Sequence, residues 1–282
     1  MMPSQPNGRT AAASPAPADP LPAPPGPATG TPLVRLSGVR KVFNQLEAIR
    51  NISLDIGDGA FVSLLGPSGC GKSTLLMMIA GLVRPTSGEI RVNGEVVTGP
   101  RADVGVVFQS PVLLPWRTVL DNVLFPVELL KLSKAKYRER AMELLAMAKL
   151  ADFAGALPRE LSGGMRQRAA ICRALIHNPS TLLMDEPFSA LDAITRDDMS
   201  VELLRIWQAN RKTVVFVTHS IREAAFLSDR VLVMGRRPAT LVEDITIDLP
   251  RPRHIAMTEE ESFNGYVRHL RRSIEASHAD AP

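Results

Sequence analysis

The chain is poor in cysteine, in dense blocks of charge and in long apolar runs. Cys70 and Cys172 are the only cysteines among its 282 residues. They lack the neighbour spacing of a metal site, so neither a disulfide framework nor a thiolate-bound metal is expected. No stretch reaches the ~18 uncharged apolar residues that a membrane-spanning helix needs. The formal net charge is +4 and no compact Lys/Arg block occurs, so the sequence predicts no nucleic-acid-binding surface.

Composition divides the chain into three segments. Residues 1–32 contain ten prolines and a single base, Arg9. Such a segment cannot bury enough apolar surface to offset the entropy lost on ordering, so we expect a disordered extension that is neither a secretion signal nor a spanning helix. Residues 33–250 alternate helix and strand patterns, which predicts one α/β domain. Residues 251–282 form a short tail with a predicted capped helix that begins at Thr258.

A glycine-rich loop between a predicted buried strand (61–65) and a predicted buried helix (73–81) carries the strongest chemical signal. The glycines let the backbone turn tightly, so that successive N–H groups point toward phosphate oxygens at the positive end of the helix. The loop and helix start comprise Gly66, Pro67, Ser68, Gly69, Cys70, Gly71, Lys72, Ser73 and Thr74. In this pattern the lysine meets the β- and γ-phosphates and the Ser73 hydroxyl binds Mg²⁺. The sequence therefore predicts binding of a nucleoside triphosphate with Mg²⁺.

Cys70 lies inside this loop. An electropositive loop lowers the pKa of a thiol, and bound nucleotide shields it. We therefore expect alkylation of Cys70 to inactivate the protein and nucleotide to protect it.

A second apolar strand, starting at Thr181, ends abruptly in the acids Asp185 and Glu186, and Pro187 stops it. Paired carboxylates at the end of a strand suit a Mg-nucleotide. The prediction is that Asp185 holds the metal, directly or through water, and that Glu186 orients and polarises the water that attacks the γ-phosphate.

Between these two elements, Ser162, Gly163 and Gly164 form a turn that leads into a predicted helix ending at Leu175. This turn is a second helix start suited to an anion. The phosphate loop, the Leu-Ser-Gly-Gly motif and the Asp-Glu strand end, in this order, resemble an ATP-binding cassette (ABC) ATPase from Leu33 to about Leu249. The resemblance implies a P-loop NTPase core with a mixed sheet flanked by helices, an antiparallel β subdomain and an inserted helical subdomain at about 111–160. Within that span the apolar spacing predicts one amphipathic helix over 118–130 and a second helix over 134–150, with an apolar face formed by Tyr137, Ala141, Leu144 and Leu145. The resemblance also implies ATP and Mg²⁺ as ligands.

The resemblance assigns further roles one residue at a time. Gln109, which follows a predicted strand, resembles the glutamine that contacts the metal and the attacking water. His219 resembles the histidine that touches the γ-phosphate, and Phe43 occupies the position of the aromatic residue that stacks on adenine. Residues 189–192 resemble the segment through which one subunit senses the other. Met165 replaces the commoner glutamine, but the neighbouring serine and glycines are intact.

In this family the signature turn covers the nucleotide on a partner subunit. The resemblance therefore implies a head-to-tail dimer in which two ATP molecules lie between the phosphate loop of one chain and Ser162–Gly164 of the other. The insertion would grip a membrane permease, and Trp116 is either an exposed interface anchor or a core residue.

The residues of these motifs are similar to those of a bacterial importer branch that serves nitrate, sulfonate, taurine, bicarbonate or pyrimidine-precursor uptake. That resemblance implies a peripheral subunit on the cytoplasmic face of the inner membrane, with a solute-binding protein as an indirect partner. The alternative is a non-transport ABC ATPase of repair or assembly type, but the chain lacks the long coiled coils of such proteins. A nucleotide sensor without turnover is expected to lose Glu186 or His219, and both are present.

Overall fold

The computed structural model describes residues 32–189 and 191–279. The predicted disordered extension, except Pro32, lies outside the described residues, and so does Ala190. The strands are β1 (Val34–Phe43), β2 (Leu46–Ile56), β3 (Phe61–Leu65), β4 (Ser87–Val92), β5 (Glu95–Val96), β6 (Val104–Val107), β7 (Thr181–Asp185), β8 (Thr213–Thr218), β9 (Arg230–Met234) and β10 (Leu241–Thr246). The helices are α1 (Lys72–Ile79), α2 (Val119–Val123), α3 (Phe125–Leu129), α4 (Lys134–Met147), α5 (Gly163–Leu175), α6 (Ala193–Asn210), α7 (Ile221–Leu227) and α8 (Glu261–Ala279).

Two sheets organise the fold. A six-stranded mixed sheet has the order β10-β9-β3-β8-β7-β6, in which β10 alone runs antiparallel to its neighbour. A four-stranded antiparallel sheet has the order β2-β1-β4-β5. The helices α2 to α4 are inserted between β6 and β7. This arrangement confirms the predicted α/β class with a mixed sheet, an antiparallel sheet and a helical insertion.

The central strands are buried on both faces, as parallel strands covered on both sides must be. Every residue of β3, β7 and β8 is buried. Side chains alternate between the faces, so Phe61 joins the core under the helices whereas Val62 joins the core shared with α1 and the antiparallel sheet. The edge of Phe61 also packs on Trp207 of α6, with 5.6 Å between ring centroids. The central sheet is therefore fixed between two apolar layers.

The inserted helices differ in detail from the sequence prediction. A single amphipathic helix was predicted over 118–130, whereas the structure has α2 and α3, with Pro126 in the first turn of α3. Proline fits a helix start but interrupts a helix interior, because it lacks an N–H and its ring clashes with the preceding turn. In α4, Ala141 and Leu144 are buried on the predicted apolar face.

The C-terminal segment packs into the core. The helix predicted from Thr258 begins instead at Glu261, after a 3-10 turn at Ile255–Glu259. Its Phe263 and Leu270 are fully buried in the core under the helices. Arg253, 5% exposed, donates hydrogen bonds to five backbone carbonyls, including those of Phe226 and Ser228. The segment is thereby tied to the end of α7.

Candidate functional site

The carboxyl ends of four parallel strands bring the predicted site residues to one edge of the central sheet. In the ladder, Leu65 of β3 pairs with Thr218 of β8, and Asp185 of β7 pairs with Val217. The residue that follows each strand therefore emerges at the same edge, which is where open α/β sheets bind ligands. The phosphate loop, Glu186 and His219 leave the sheet at this edge, and Gln109 lies two residues beyond the end of β6.

The phosphate loop holds its lysine inside its own curve. Lys72 is 3% exposed, and its Nζ donates to the carbonyl oxygens of Gly66 at 2.9 Å and Pro67 at 2.8 Å. Gly71 has φ +126°, a conformation that L-residues rarely adopt, and it forms the N-cap of α1. The ammonium group and the start of α1 thus lie side by side, which suits a polyanion.

The first residues of α1 contact the end of β7 through one hydrogen bond. Ser73 Oγ donates to Asp185 Oδ1 over 2.8 Å. Burial raises the pKa of Asp185, which is 8% exposed, and the neighbouring carboxylate of Glu186 raises it further, against the hydrogen bond from Ser73 and the charge of Lys72. A hydroxyl and a carboxylate are hard oxygen donors of the kind that Mg²⁺ prefers, and this ion keeps several water and phosphate ligands. The residues present therefore fit a Mg-nucleotide.

Glu186 and His219 form a pair across the β7–β8 edge. The Nδ1 of His219 lies 2.9 Å from Oε2 of Glu186. The backbone of Glu186 has φ +42°, and its N–H donates to the Val217 carbonyl at 2.9 Å. Non-glycine residues with positive φ are uncommon and cluster where function needs a particular side-chain direction. Here the left-handed turn directs a carboxylate toward the imidazole.

Gln109 reaches the loop that follows β7. Its Nε2 donates to Ser189 Oγ at 3.1 Å. The 189–192 segment contains Ala190, which lies outside the described residues, and it ends at Asp192, whose carboxylate accepts from the Thr195 N–H and caps α6. The glutamine amide thus joins the strand-end residues to the segment predicted to sense a second subunit.

The signature turn caps a long helix. Ser162 is the N-cap of α5, and its hydroxyl accepts from the Met165 N–H at 3.2 Å. Within the described ranges, the N–H groups of Gly163 and Gly164 make no hydrogen bond, as is usual for the first turn of a helix. A Cβ on Gly164 would lie 3.3 Å from the Thr195 side chain. Among the described residues, no hydrogen bond joins this turn to the phosphate loop of the same chain.

Phe43 ends β1 with 43% of its surface exposed, and Lys41 Nζ lies 4.7 Å from its ring centroid. A half-exposed ring at the end of a strand leaves one face open for stacking. Its sheet adjoins the phosphate loop, because Ala48 O lies 3.1 Å from where a Cβ on Gly71 would be.

The comparison with protein families is decisive. The ABC transporter family model matches residues 49–189, a span from β2 to the loop after β7. The chain belongs to the ABC transporter family. Its fold and motif order agree with this assignment, and the proteins of this family that bind ATP are ATPases. The chain is therefore an ABC ATPase.

Curated relatives and solved structures extend the comparison. The chain is 50% identical to the taurine import ATP-binding protein of Rhizobium johnstonii over 73% of this chain and 79% of that protein. It is 49% identical to the nitrate import ATP-binding protein of Synechocystis sp. over 72% of this chain and 76% of that protein. A dimeric ATP-binding cassette in a post-hydrolysis state with ADP and Pi has a TM-score of 0.65 and 36% identity, over 76% of this chain and 98% of that one. These similarities confirm the importer-type resemblance.

No helix in the described parts of this ABC ATPase is long and apolar enough to cross a membrane. Apolar side chains are nevertheless exposed in the helical insertion. Trp116 is 73% exposed and Leu129 is 65% exposed. Of the two alternatives for Trp116, the structure supports the exposed side chain.

The prediction that the loop lowers the pKa of the Cys70 thiol is wrong. Cys70 is 1% exposed, and burial raises its pKa, whereas the charges of Lys72 and Arg237 lower it less strongly. A buried thiol in an apolar layer stays protonated, so the electropositive loop does not activate it.

Sequence patterns missed one contact of the phosphate loop. Arg237 Nη2 donates to the carbonyl oxygen of Gly69 at 2.6 Å. Arg237 lies in the turn between β9 and β10, far from every motif in the sequence, and neither periodicity nor spacing marks it. Only the pairing of β3 with β9 brings this turn to the loop.

Proposed function

We propose that this chain is the ATP-hydrolysing subunit of an importer. It drives uptake of a small solute of the nitrate, sulfonate or taurine type through a separate membrane permease. The observation that carries the proposal is the pair formed by Glu186 and His219 beside the hydrogen bond between Ser73 and Asp185. Together they place a carboxylate and an imidazole next to the residues that suit a Mg-nucleotide.

Binding rests on the phosphate loop. Its N–H groups and Lys72 hold the β- and γ-phosphates, and Phe43 stacks on the adenine. Ser73, Asp185 and Gln109 would hold Mg²⁺, which when bound neutralises charge that develops on the phosphate oxygens. Lys72 already donates to two loop carbonyls in its buried position, so little side-chain entropy remains to be lost when it binds phosphate.

Hydrolysis rests on Glu186. Its carboxylate accepts a proton from the water whose oxygen bonds to the γ-phosphorus, while the bond from that phosphorus to the β–γ bridging oxygen breaks and ADP and inorganic phosphate leave. Gln109 helps to orient the water. His219 Nδ1 lies within hydrogen-bond distance of the Glu186 carboxylate and keeps it in place, and the imidazole contacts the γ-phosphate. The left-handed backbone of Glu186 supports this role, because such a conformation persists where the surrounding structure fixes a side-chain direction.

The complete site needs a second copy of the chain. Ser162, Gly163 and Gly164 of the second copy cover the nucleotide that the first copy holds, and two ATP molecules join a head-to-tail dimer. The two glycine N–H groups without a hydrogen bond at the start of α5 support this arrangement, because they are donors at the positive end of a helix. The solved dimeric cassette with ADP and Pi supports it as well. Loss of the γ-phosphate contacts opens the dimer.

The partner that ATP hydrolysis drives is a membrane permease, which docks on the helical insertion. Trp116 is exposed near two prolines that shape the loop before α2, and an exposed aromatic ring is a frequent interface anchor. The relatives named as import proteins support this partner, together with an indirect role for a solute-binding protein and a place on the cytoplasmic face of the bacterial inner membrane.

One substitution tests the catalytic part of the proposal. Glu186→Gln keeps the volume of the side chain and an amide oxygen that pairs with His219, but it removes the basic carboxylate. We expect kcat for ATP to fall by about 10²- to 10⁴-fold with MgATP affinity retained. The matched control is Glu139→Gln, on the exposed face of α4, which leaves kcat unchanged. Turnover by Glu186→Gln at the wild-type rate would refute the assignment.

A further inference from the structure

The turn between β9 and β10 lies across the outer side of the phosphate loop. Where a Cβ on Gly66 would be, the carbonyl oxygen of Met234 is 2.6 Å away. Where a Cβ on Gly71 would be, the Ala239 side chain is 3.3 Å away. The approach of residues 234–239 therefore excludes a side chain at Gly66 and crowds one at Gly71, where Ala48 O of β2 is closer still at 3.1 Å. The 234–239 segment acts as an outer wall of the loop.

This wall is itself held in place. The N–H of Ala239 donates to Ala48 O and its carbonyl accepts from the Arg50 N–H, both at 2.9 Å. The N–H of Gly235 donates to Thr240 O at 3.0 Å and closes the turn. The turn is thus bonded to β2 of the antiparallel sheet at one end and continuous with the central sheet at the other. A side chain that extends from it toward the loop starts from a fixed backbone.

Arg237 extends from this wall to the loop, where its Nη2 donates to Gly69 O. In a planar trans peptide the C=O and the following N–H point in opposite directions. A carbonyl held outward therefore directs the Cys70 N–H into the loop. The hydrogen bonds agree, because the Cys70 N–H faces Pro67 O at 3.4 Å, the same oxygen that accepts from Lys72 Nζ at 2.8 Å. The Cys70 N–H and the Lys72 ammonium thus face the same interior.

We propose that Arg237 is a positioning residue of the nucleotide site. It fixes the Gly69–Cys70 peptide so that its N–H faces the phosphates, and its charge polarises that peptide. The inference rests on the proposed function only in that the phosphate loop binds MgATP. The contact of Arg237 is with the backbone of the loop, so we expect it to act equally on the ground state and on the transition state. Uniform binding of this kind changes KM and not kcat.

The test compares four variants of the full chain with the wild type. Arg237→Met removes both the donor and the charge, Arg237→Lys keeps the charge with one compact donor, and Arg236→Met changes the exposed neighbour in the same turn. Isothermal titration with MgATP and with ADP gives the affinities, and phosphate release gives KM and kcat. Arg237→Gln serves as a second variant, with a thermal melt to establish that each protein folds.

We expect Arg237→Met to weaken MgATP binding by about three- to tenfold, the scale of one exposed charge-assisted hydrogen bond. ADP binding weakens by the same factor, because ADP retains the β-phosphate. KM rises in parallel with kcat unchanged, Arg237→Lys recovers part of the loss, and Arg236→Met matches the wild type. Equal affinities in wild type and in folded Arg237→Met and Arg237→Gln overturn the inference but leave the proposed function intact. Absence of MgATP binding by the wild type overturns both.

Discussion

Replacement of Asp185 by asparagine is expected to raise the stability of the protein and to lower its ATPase activity. Its carboxylate is 8% exposed and accepts one hydrogen bond, from Ser73, while burial and the charge of Glu186 raise its pKa. The change Asp185→Asn keeps the size of the side chain and an oxygen that accepts from Ser73. It removes a buried charge that, within the described part of the chain, forms no ion pair. We therefore expect the nucleotide-free protein to become more stable by about 1 kcal/mol, or roughly 2–4 °C in Tm.

The ATPase activity of Asp185→Asn is expected to fall although its stability rises. An amide is a poor ligand for Mg²⁺ beside the Ser73 hydroxyl, so the variant loses the carboxylate that would hold the metal. We expect kcat/KM for MgATP to fall by at least about 100-fold, which corresponds to about 2.7 kcal/mol of transition-state stabilisation. The rise in Tm that MgATP gives the wild type also shrinks in the variant, because ligand stabilisation follows affinity.

The pH dependence of the stability gap follows from the direction of the pKa shift. The pKa of Asp185 is raised from its ordinary value of 3.8, so the folded wild type holds this proton more tightly than the unfolded chain does. The carboxylate therefore costs stability only once pH rises above the unfolded pKa, and the full cost is present above the folded pKa. The gap in unfolding free energy between Asp185→Asn and wild type is expected to be absent below about pH 3.8 and to widen with rising pH.

Thermal melts in EDTA without nucleotide, separate melts with MgATP and no chelator, and phosphate-release assays measure these effects. The matched control is Asp55→Asn, because Asp55 forms an exposed ion pair with Arg35 whose partners are 48% and 53% exposed. Such pairs contribute about 0–1 kcal/mol, so the control is expected to lose little stability and no activity. An Asp185→Asn protein that is less stable than wild type without nucleotide, or that hydrolyses ATP at the wild-type rate, would refute the reasoning.

Trp116, Arg253 and the two cysteines give further tests. Trp116→Ala is expected to leave Tm and the ATPase rate of the isolated chain unchanged, because the ring is 73% exposed. The same change is expected to abolish co-purification with the permease. Full retention of the permease would count against docking at this residue. Arg253→Met leaves buried carbonyls at the end of α7 without a donor. Urea titration is therefore expected to show a free energy of unfolding that is lower by about 3 kcal/mol. An unchanged urea midpoint would contradict the anchoring role. Cys70 and Cys172 are buried, and burial raises the pKa of Cys172 to about 12, so iodoacetamide is expected to label neither until the chain unfolds; rapid labelling of folded protein would disagree.

The sequence was sufficient to predict features that depend only on residues close together in the chain. The strand before Gly66 and the strand before Glu186 are continuous apolar runs bounded by glycine or proline, so their ends were evident without tertiary information. The helix interrupted at Pro126 was predicted as one segment because apolar residues continue on both sides of the proline. The burial of Cys70 and the contact of Arg237 depend on which strands become neighbours in the sheet. Neither leaves a periodic mark in the sequence.

The two half-sites separate for a reason that lies in the topology. Residues that follow parallel strands share one sheet edge, so the phosphate loop, Glu186 and His219 meet within one chain. The signature turn does not follow a strand, because it starts α5 at the end of the helical insertion, where it packs beside Thr195. If the sheet edge holds the phosphates as we propose, the N–H groups of Gly163 and Gly164, which make no hydrogen bond among the described residues, form a second set of donors elsewhere. The proposed head-to-tail pair of chains would use both sets at once, whereas a single chain would use only the first.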